Sequence, residues 1–377
     1  MNTVPLGEVI VPARVIRAGH QDFPVLSMTM HDGLVPQADR FKKRIASAST
    51  QDYKVVQRGQ LVVGFPIDEG VLDVQDLYDQ AIVSPAYGVW NLTSSDLVDS
   101  RYLIKFLRSP KALTYYKAKL QGSTARRRSL PASVFLELPV FLPPLSEQRR
   151  IAAILDKADA IRTKRRQVLA HLELAPFAAI ESLLRDGVWD SRPLADLAEV
   201  WDCAHSTPVW TDSGKTCLRT SNLGRGFWDW TDTRYVSLDD FQTRQKGGGA
   251  LPGDIILSRE GTVGIGAMVQ PGMTVAMGQR LVQVRAKSID EHFLLWYLLY
   301  ALDPIRISHV MVGATSKHLN VKDLRAMSIP TPGPDVQKQF ANFATRLISE
   351  QEMVLQGIAQ DDALFASLQS RAFKGEL

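Results

Sequence analysis

The sequence predicts a duplicated fold, in which two mixed α/β (α+β) domains are joined by two long antiparallel α-helices that form a coiled coil with pseudo-twofold symmetry. Two observations predict it. Segments recur in the same order at a spacing of roughly 190 residues, and each half closes with a long stretch whose apolar residues recur at helical spacing. We expect a first domain over 1–145, a central helix over 146–186, a second domain over 187–334 and a C-terminal helix over 335–377.

The composition is that of a folded protein. The chain has 377 residues, of which 45% are hydrophobic, and 44 Lys and Arg residues are balanced by 40 Asp and Glu residues. This balance excludes disordered and collagen-like chains, and the length suffices for two domains that each bury a core. No uncharged apolar run of about 18 residues predicts a membrane span, and the first residues lack a signal-peptide pattern. We expect a cytoplasmic protein with no membrane partner.

The internal repeat contains strand-like and helix-like segments. The strand-like RGQLVVGF around Gly59 returns as LPGDIILS around Gly253, each with a turn that leads into an apolar, partly β-branched run. The helix-like RYLIKFLRS at 101–109 returns as HFLLWYLLY at 292–300. A Pro-rich stop follows in both halves, LPVFLPPL in the first and MSIPTPGP in the second. The same order, found twice over most of the chain, indicates a duplication.

The two closing stretches predict amphipathic helices. At about 1.5 Å per residue, a helix over 146–184 measures roughly 58 Å, which is too long to be hidden inside one domain. Each apolar stripe must be buried, and pairing with the other stripe achieves this; the alternative is that each helix packs on its own domain. Pro176 is expected to kink or end the first stripe, although the Phe-Ala-Ala-Ile continuation after it indicates that the helix resumes. The residues expected to pair are Ile151, Leu155, Ile161, Leu169, Phe340, Phe343, Leu347, Val354, Ile358 and Phe365.

The two cysteines, Cys203 and Cys217, are interpreted as small core residues. His205 lies two residues beyond Cys203, but no second cluster completes a set of four ligands, so no metal site is predicted.

Familiar catalytic motifs are missing. Leu142 precedes the one Pro-Pro pair, which rules out the Asn/Asp-Pro-Pro-aromatic site of an amino-methyltransferase. Gly214-Lys215-Thr216 imitates the end of a phosphate-binding loop, but Val209 stands where that loop requires glycine. No acid/base pair can be nominated, so no catalytic residue is predicted and the chain is interpreted as a binding protein.

Clustered basic and amide side chains are the candidates for contacts with DNA. Two basic runs could anchor phosphates, or could simply be solvated faces. An Arg- and Asn-containing segment, 219–230, could pair with base edges, although its aromatic residues also fit a Trp-rich corner of the core. Arg259 could contact DNA or form an ion pair with Glu260. The candidates are Lys42, Lys43, Arg44, Arg126, Arg127, Arg128, Arg219, Asn222, Arg225, Arg259, Thr315, Lys317 and His318.

Three segments give the sequence its resemblance to a known family. They are LPPLSEQRRIAAILDKADAIRTKRR, ALPGDIILSREGTVG and GATSKHLNVKDLRAMSIPTP, and they resemble the repeated segments of the specificity subunits of type I restriction-modification systems. The resemblance covers both repeats in order. In the first repeat the loop GSTARRRSL departs from the Gly-x-Thr-x-Lys-x-Leu pattern that 313–319 keeps, and TPGPDVQKQF departs from PPLSEQRRI in the second.

The resemblance implies a non-catalytic subunit that reads DNA. Each repeat would hold a target recognition domain, and the long helices would form an antiparallel spacer between them. The subunit would bind double-stranded DNA and two methyltransferase subunits, which bring S-adenosylmethionine and modify adenine, and restriction-translocase subunits would join the complex. Because the two repeats diverge outside their shared framework, the two half-sites should differ.

Two other classes of function compete with this interpretation. One is a scaffold whose paired helices recruit proteins without DNA specificity, and the other is a DNA-modifying enzyme with unfamiliar motifs. Sequence-dependent, salt-sensitive DNA binding would exclude the scaffold, and cleavage or label transfer by the lone chain would indicate the enzyme.

Overall fold

The computed structural model describes residues 3–30, 32–40, 50–121, 130–304, 306–307 and 318–377. It divides into two compact units, each with its own core. Unit 1 comprises Met1–Lys164 with Ile358–Leu377, and unit 2 comprises Arg165–Gly357. Both divisions fall inside the long helices.

Unit 1 is built from short strands. β2, β9, β6 and β7 lie in this order in one antiparallel sheet, while β1 pairs with β10, β3 with β4 and β5 with β8. The strands are β1 Thr3–Pro5, β2 Ile10–Pro12, β3 Leu26–Met28, β4 Leu34–Pro36, β5 Lys54–Gln57, β6 Leu61–Val63, β7 Leu72–Val74, β8 Gln80–Val83, β9 Gly88–Leu92 and β10 Pro139–Phe141.

Unit 2 repeats this plan with a more complete second sheet. β12, β19, β16 and β17 form the antiparallel sheet, and β11 pairs with β20. A second sheet has the order β13-β15-β14-β18, in which β14 and β18 are parallel. The strands are β11 Ser191–Pro193, β12 Ala198–Asp202, β13 Trp210–Thr211, β14 Lys215–Leu218, β15 Tyr235–Val236, β16 Ile255–Ser258, β17 Gly266–Met268, β18 Val275–Met277, β19 Leu281–Ala286 and β20 Ser328–Pro330.

Short helices cover the sheets, and two long helices follow the Pro-rich stops. The helices are α1 Gln37–Arg40, α2 Ser100–Leu107, α3 Pro110–Lys119, α4 Ala132–Leu136, α5 Leu145–Asp186, α6 Leu194–Leu197, α7 Leu238–Thr243, α8 Glu291–Ala301, α9 Val321–Ala326 and α10 Pro334–Ala372. The helix α5 continues through Pro176, so of the alternatives considered this proline does not end the helix, and the Phe-Ala-Ala-Ile segment after it is helical.

The duplication predicted from the sequence is confirmed in the backbone. The sheet order β2-β9-β6-β7 of unit 1 corresponds strand for strand to β12-β19-β16-β17 of unit 2. Gly59 and Gly253 precede the corresponding strands β6 and β16 with φ values of 86° and 89°. Their N–H groups donate to the carbonyls of Gln75 and Val269, which directly follow β7 and β17. Glycine occupies both turns because this left-handed backbone is strained for other residues.

A buried glutamine fastens the start of each long helix to its own unit. The side-chain oxygen of Gln148 accepts from the backbone N–H of Asp99 at 2.9 Å, and that of Gln337 accepts from Asp290 at 2.8 Å. Asp99 and Asp290 in turn cap α2 and α8 through their side chains. Each glutamine also donates to a carbonyl of the Pro-rich stop, Pro143 at 2.8 Å and Pro332 at 2.7 Å. The hydrogen bonds therefore fix where each long helix leaves its domain.

The long helices pair within each unit and also pack on its domain. In unit 1, Ile151 and Leu155 enter the core beside Ala372 and Phe373 from the end of α10. Arg162 of α5 forms a 2.6 Å ion pair with Asp362 of α10. Two arrangements were considered, pairing of the long helices and packing of each helix on its own domain, and both are found in part. The helical turns nearest the domain contribute to its core, and the next turn contacts the other helix.

Unit 2 shows the same arrangement. Phe340 of α10 and Ile180 of α5 lie in its core, and the side-chain amide of Gln351 donates to the carbonyl of Leu172 at 3.0 Å. Within unit 2, Arg165 packs on Gly357 and Leu172 contacts Gln351, so the two helix segments are antiparallel. Within unit 1, Leu155 shares the core with Ala372 and Arg162 pairs with Asp362, so the segments are antiparallel there too.

The burial of the residues expected to pair varies along the helices. Ile161 is 53% exposed and Phe343 is 39% exposed, so the expectation that they are buried between the helices is wrong. The guanidinium of Arg162 takes the position between the helices and lies 4.3 Å from the ring centre of Phe365. Ile151, Leu155, Phe340 and Leu347 are buried, and Leu169, Val354, Ile358 and Phe365 are half-buried.

One stretch of α5 is long and apolar enough to meet the simplest test for a membrane-spanning helix. Phe177, Ile180 and Leu183 of this helix pack against the core of unit 2, which accounts for their apolar character.

Candidate nucleic-acid interface

Several predicted DNA contacts lie outside the described residues. They are Lys42, Lys43, Arg44, Arg126, Arg127, Arg128, Thr315 and Lys317. The predicted contacts that the structure describes are all in unit 2, and each has a defined environment.

Asn222 is a structural residue. It is 1% exposed, and its amide donates to the carbonyls of Asp229 at 3.0 Å and Asp232 at 3.2 Å. Its side-chain oxygen accepts from the N–H of Arg219 at 2.9 Å. Since these bonds close the loop between 219 and 232 and leave the amide buried, the prediction that Asn222 reads a base edge is wrong.

Arg219 and Arg225 lie closer to the surface. The side chain of Arg219 is 31% exposed and forms an ion pair with Asp232, and that of Arg225 is 40% exposed and forms one with Asp303. The guanidinium of Arg225 also lies 5.4 Å from the ring centre of Phe177. Such ion pairs are partly solvated and can exchange for phosphate or base acceptors.

The aromatic residues beside them divide between core and surface. Trp228 donates its indole N–H to the carbonyl of Met268 at 2.8 Å and packs against a core cluster. Trp230 stacks on Trp228 with ring centres 5.4 Å apart, yet is 43% exposed, and Phe227 is 50% exposed. Trp228 thus fits the core interpretation, whereas Phe227 and Trp230 present apolar surface.

Arg259 is buried rather than presented to a ligand. It is 8% exposed, and its guanidinium lies 2.9 Å from Asp202 and 2.9 Å from Glu260. The ion pair with Glu260, the alternative to DNA contact, is what the structure shows, and the prediction of a direct contact is wrong. His318 forms a β-bridge with Glu260, and Leu319 donates its N–H to the carbonyl of Arg259 at 2.8 Å.

The contacts of Arg259, Glu260 and His318 lie at one end of the main sheet of unit 2, where β19 begins. We call this region the β19 corner. A cavity of about 240 Å³ opens there. It is lined by Cys203, His205, Arg259, Glu260, Gln279 and Arg280. The segment that carries Lys317 enters the described chain again at His318, beside Glu260. Sequence reasoning missed Gln279 and Arg280, because a three-residue turn between short strands carries no motif that marks it as a site.

The corresponding end of the unit 1 sheet is apolar. A cavity of about 220 Å³ lies between the end of β6 and the start of β9, and Phe65 at its edge is 55% exposed. Trp90, Phe135 and Leu130 also line it. The two units thus share a backbone frame but present different chemistry at the same place.

A second groove of about 650 Å³ lies at the opposite end of the unit 1 sheet. It is polar, and Arg58, Gln60 and Asn91 line it together with Asp99 and Arg149. Arg58 forms an ion pair with Asp79 at 3.2 Å, so part of its charge is already engaged.

The cysteines occupy the core, as expected, and no disulfide joins them. Burial raises the pKa of the Cys217 thiol to about 11 and raises that of Cys203. Within the described residues, no group of three or more His, Cys, Asp or Glu side chains is placed to hold a metal ion.

Both thiols should therefore resist alkylation in the native state. At pH 8 a thiol with a pKa of about 11 is ionised roughly two-hundredfold less than a free cysteine, whose pKa is about 8.5. We expect iodoacetamide to label neither cysteine in the folded chain and both in denaturant, as measured by mass spectrometry. Rapid labelling of Cys217 in the native protein would contradict its burial.

Comparison with known proteins identifies the family. The family model described as "Type I restriction modification DNA specificity domain" matches residues 76–174 and 189–359. The specificity subunit of type I restriction enzyme MjaVIII from Methanocaldococcus jannaschii is 22% identical over 270 residues, which cover 65% of this chain and 62% of that relative. The match thus spans less than two thirds of the relative's length.

Two solved structures share the fold. A chain from a study of complex assembly and conformational transition of the type I R-M system has a TM-score of 0.60 at 18% identity, with 100% of this chain and 98% of that chain covered. The S subunit of a type I restriction-modification system from M. genitalium has a TM-score of 0.53 at 12% identity, with 99% and 96% covered. Since the family model spans both repeats, this chain belongs to the type I restriction-modification DNA specificity domain family.

Proposed function

We propose that this chain is the DNA-reading subunit of a type I restriction-modification complex, in which each unit reads one half of an asymmetric, two-part DNA site. The observation that supports this most directly is that the two units share the strand order of their main sheet but carry different side chains at one end of it. The sheets of the two units have the same strand order, whereas one end of the sheet presents Gln279 and Arg280 in unit 2 and Phe65 and Trp90 in unit 1. Different side chains on one frame are suited to reading different bases.

The long helices would set the distance between the two half-sites and hold two methyltransferase subunits. S-adenosylmethionine and the transfer of its methyl group to adenine would belong to those partners, and this chain would contribute DNA recognition alone. Restriction-translocase subunits would join the same assembly. Gln148 and Gln337 each fix the start of a long helix to its own unit. This supports a spacer role, because a helix can set a distance only if it is held firmly by the domain that it positions.

Adenine methylation mapping tests the proposal. DNA would be sequenced from cells that express this chain with its methyltransferase partner, and from cells that express the partner alone. We expect a split motif that appears only when this chain is present. A stable complex that directs no motif would favour the scaffold interpretation.

Shortening both long helices tests the spacer. Residues 166–172 of α5 and 351–357 of α10 face each other, since Leu172 contacts Gln351 and Arg165 packs on Gly357. Deleting both segments removes one heptad, about 10 Å of helix, from each without changing the apolar register. We expect the unread gap in the methylated motif to shorten by about three base pairs, at about 3.4 Å each.

The half-site sequences provide the internal control in this experiment, because neither unit's sheet is altered. If the folded double-deletion variant directed its partner to sites with the original gap, the helices would not set the distance between the half-sites.

A further inference from the structure

The turn between β18 and β19 holds an arginine in a strained backbone. Arg280 has a φ of 68°, and in the part of the chain that the structure describes it is the one non-glycine residue with a positive φ. The left-handed region is unfavourable for an ordinary L-residue, because its Cβ crowds the following carbonyl oxygen. Strain of this kind tends to persist where the surrounding structure enforces it and where the side chain has a task.

Three contacts fix the backbone of this turn. Gly278 donates its N–H to the carbonyl of Leu218 at 2.9 Å, and the carbonyl of Arg280 accepts from Arg259 at 2.9 Å. The side-chain amide of Gln279 donates to the carbonyl of His205 at 2.8 Å. A side chain at 278 would collide with the Leu218 carbonyl, because an added Cβ would lie 2.4 Å from its oxygen. Arg280 therefore projects from a rigid support.

The guanidinium of Arg280 is available to a ligand. Its side chain is 61% exposed, and its ion pair with Glu260 is long, at 3.9 Å. Glu260 is engaged more closely by the buried Arg259, at 2.9 Å, and Asp202 by the same arginine at 2.9 Å. One arginine offsets only one of these two carboxylates, so Arg280 faces the remaining negative charge. It does so only at 3.9 Å and with a largely exposed side chain, so its guanidinium can turn to an external acceptor.

Unit 1 lacks this group at the equivalent position. The pairing registers of β6 with β9 and of β16 with β19 align Ala86 with Arg280 and Phe65 with Arg259. A feature that served only the shared frame would be present in both units. Arg280 instead belongs to what distinguishes unit 2 from unit 1.

We infer that Arg280 is a specificity-determining residue that reads a guanine in the half-site of unit 2; this inference rests on the proposed function. An arginine fork pairs with the O6 and N7 acceptors of guanine in the major groove, the most frequent specific contact between a side chain and a base. The rigid turn suits this task, because it fixes the backbone from which the fork projects, so that only side-chain freedom is lost when the fork pairs.

The variant that tests the inference is Arg280→Gly. Glycine tolerates the left-handed backbone, so the change removes the side chain while it relieves strain, and the melting temperature should not fall. Lys287→Gln is the matched control. Lys287 follows the other end of β19 and is 49% exposed, so this variant removes one positive charge from the same strand, away from the corner.

Both variants would be assembled with the methyltransferase partner and assayed in two ways. Methylation mapping gives the motif, and competition binding uses duplexes that carry each of the four bases at every motif position. For Arg280→Gly we expect the preference for one guanine in one half-site to drop by about five- to a hundredfold, with the other half-site unchanged. Lys287→Gln should keep the wild-type motif.

Two outcomes would overturn the inference. Uniformly weaker binding to every duplex, with the motif intact, would mean that Arg280 contacts phosphate rather than a base. An unchanged motif with unchanged affinity would mean that it contacts no DNA. Either result leaves the proposed function standing if the wild-type chain directs a split motif, whereas the absence of any wild-type motif would refute the proposed function itself.

Discussion

Replacing Asp254 by alanine is expected to lower the free energy of unfolding of unit 2 by about 3 kcal/mol, because the partly buried guanidinium of Arg285 loses its carboxylate and two further donors lose their acceptor. The carboxylate of Asp254 is 2% exposed and accepts two hydrogen bonds of 2.7 Å from the fork of Arg285. It also accepts from the side chain of Gln283 and the N–H of Leu251, each at 2.7 Å. Denaturant unfolding would give the change, and hydrogen exchange would show whether the amides of β16 and β19 lose protection first.

Unit 1 provides the matched control for this variant. The registers place Gln60 and Asn91 where unit 2 has Asp254 and Arg285, and the amide of Gln60 donates to Asn91 at 2.8 Å. A neutral, half-buried pair is worth about 1 kcal/mol, so Gln60→Ala should cost several-fold less. Equal losses from the two variants would contradict the assignment of the larger effect to the buried charge.

Gln148→Ala is expected to destabilise unit 1 by about 2–4 kcal/mol, because three polar backbone groups lose their partner inside the protein. The side chain is fully buried, and besides its bonds to Asp99 and Pro143 it donates to the carbonyl of Leu97 at 2.9 Å. Chemical unfolding of the full chain, with hydrogen exchange to assign the loss to unit 1, measures the effect.

Two comparisons make this prediction specific. Gln337→Ala breaks two such bonds in place of three, so its effect on unit 2 should be smaller. Gln167→Ala changes an exposed glutamine of the same helix α5 and should alter stability by no more than about 0.5 kcal/mol. If Gln148→Ala cost no more than Gln167→Ala, the glutamine would not be the anchor of the helix.

The sequence was a reliable guide wherever a feature depends on neighbouring residues. The turn glycines at 59 and 253, the apolar runs that follow them and the helical period of 146–186 and 335–377 are all local patterns, and the structure has strands and helices there. The duplication could be predicted because it needs only the order of such segments. The residues after Pro176 also indicated locally that α5 resumes, and the helix continues through this proline.

The fate of polar side chains could not be predicted in the same way. Asn222 and Arg259 have the chemistry that reads bases, but the fold of the 219–232 loop closes on Asn222 and strand pairing in the main sheet brings Asp202 to Arg259. Ile161 fits the apolar stripe, yet Arg162 takes its place between the helices, because its long stem reaches both Phe365 and Asp362.

The sequence by itself thus determined the repeated frame and the family to which the chain belongs, since both follow from local periodicity and the order of motifs. Only the tertiary structure decided which charged and amide groups form hydrogen bonds and ion pairs inside the protein and which, like Arg280, remain exposed at the surface. The physical reason is that a buried polar group must find a partner, and that partner is chosen by residues distant in the chain that the fold brings within about 3 Å.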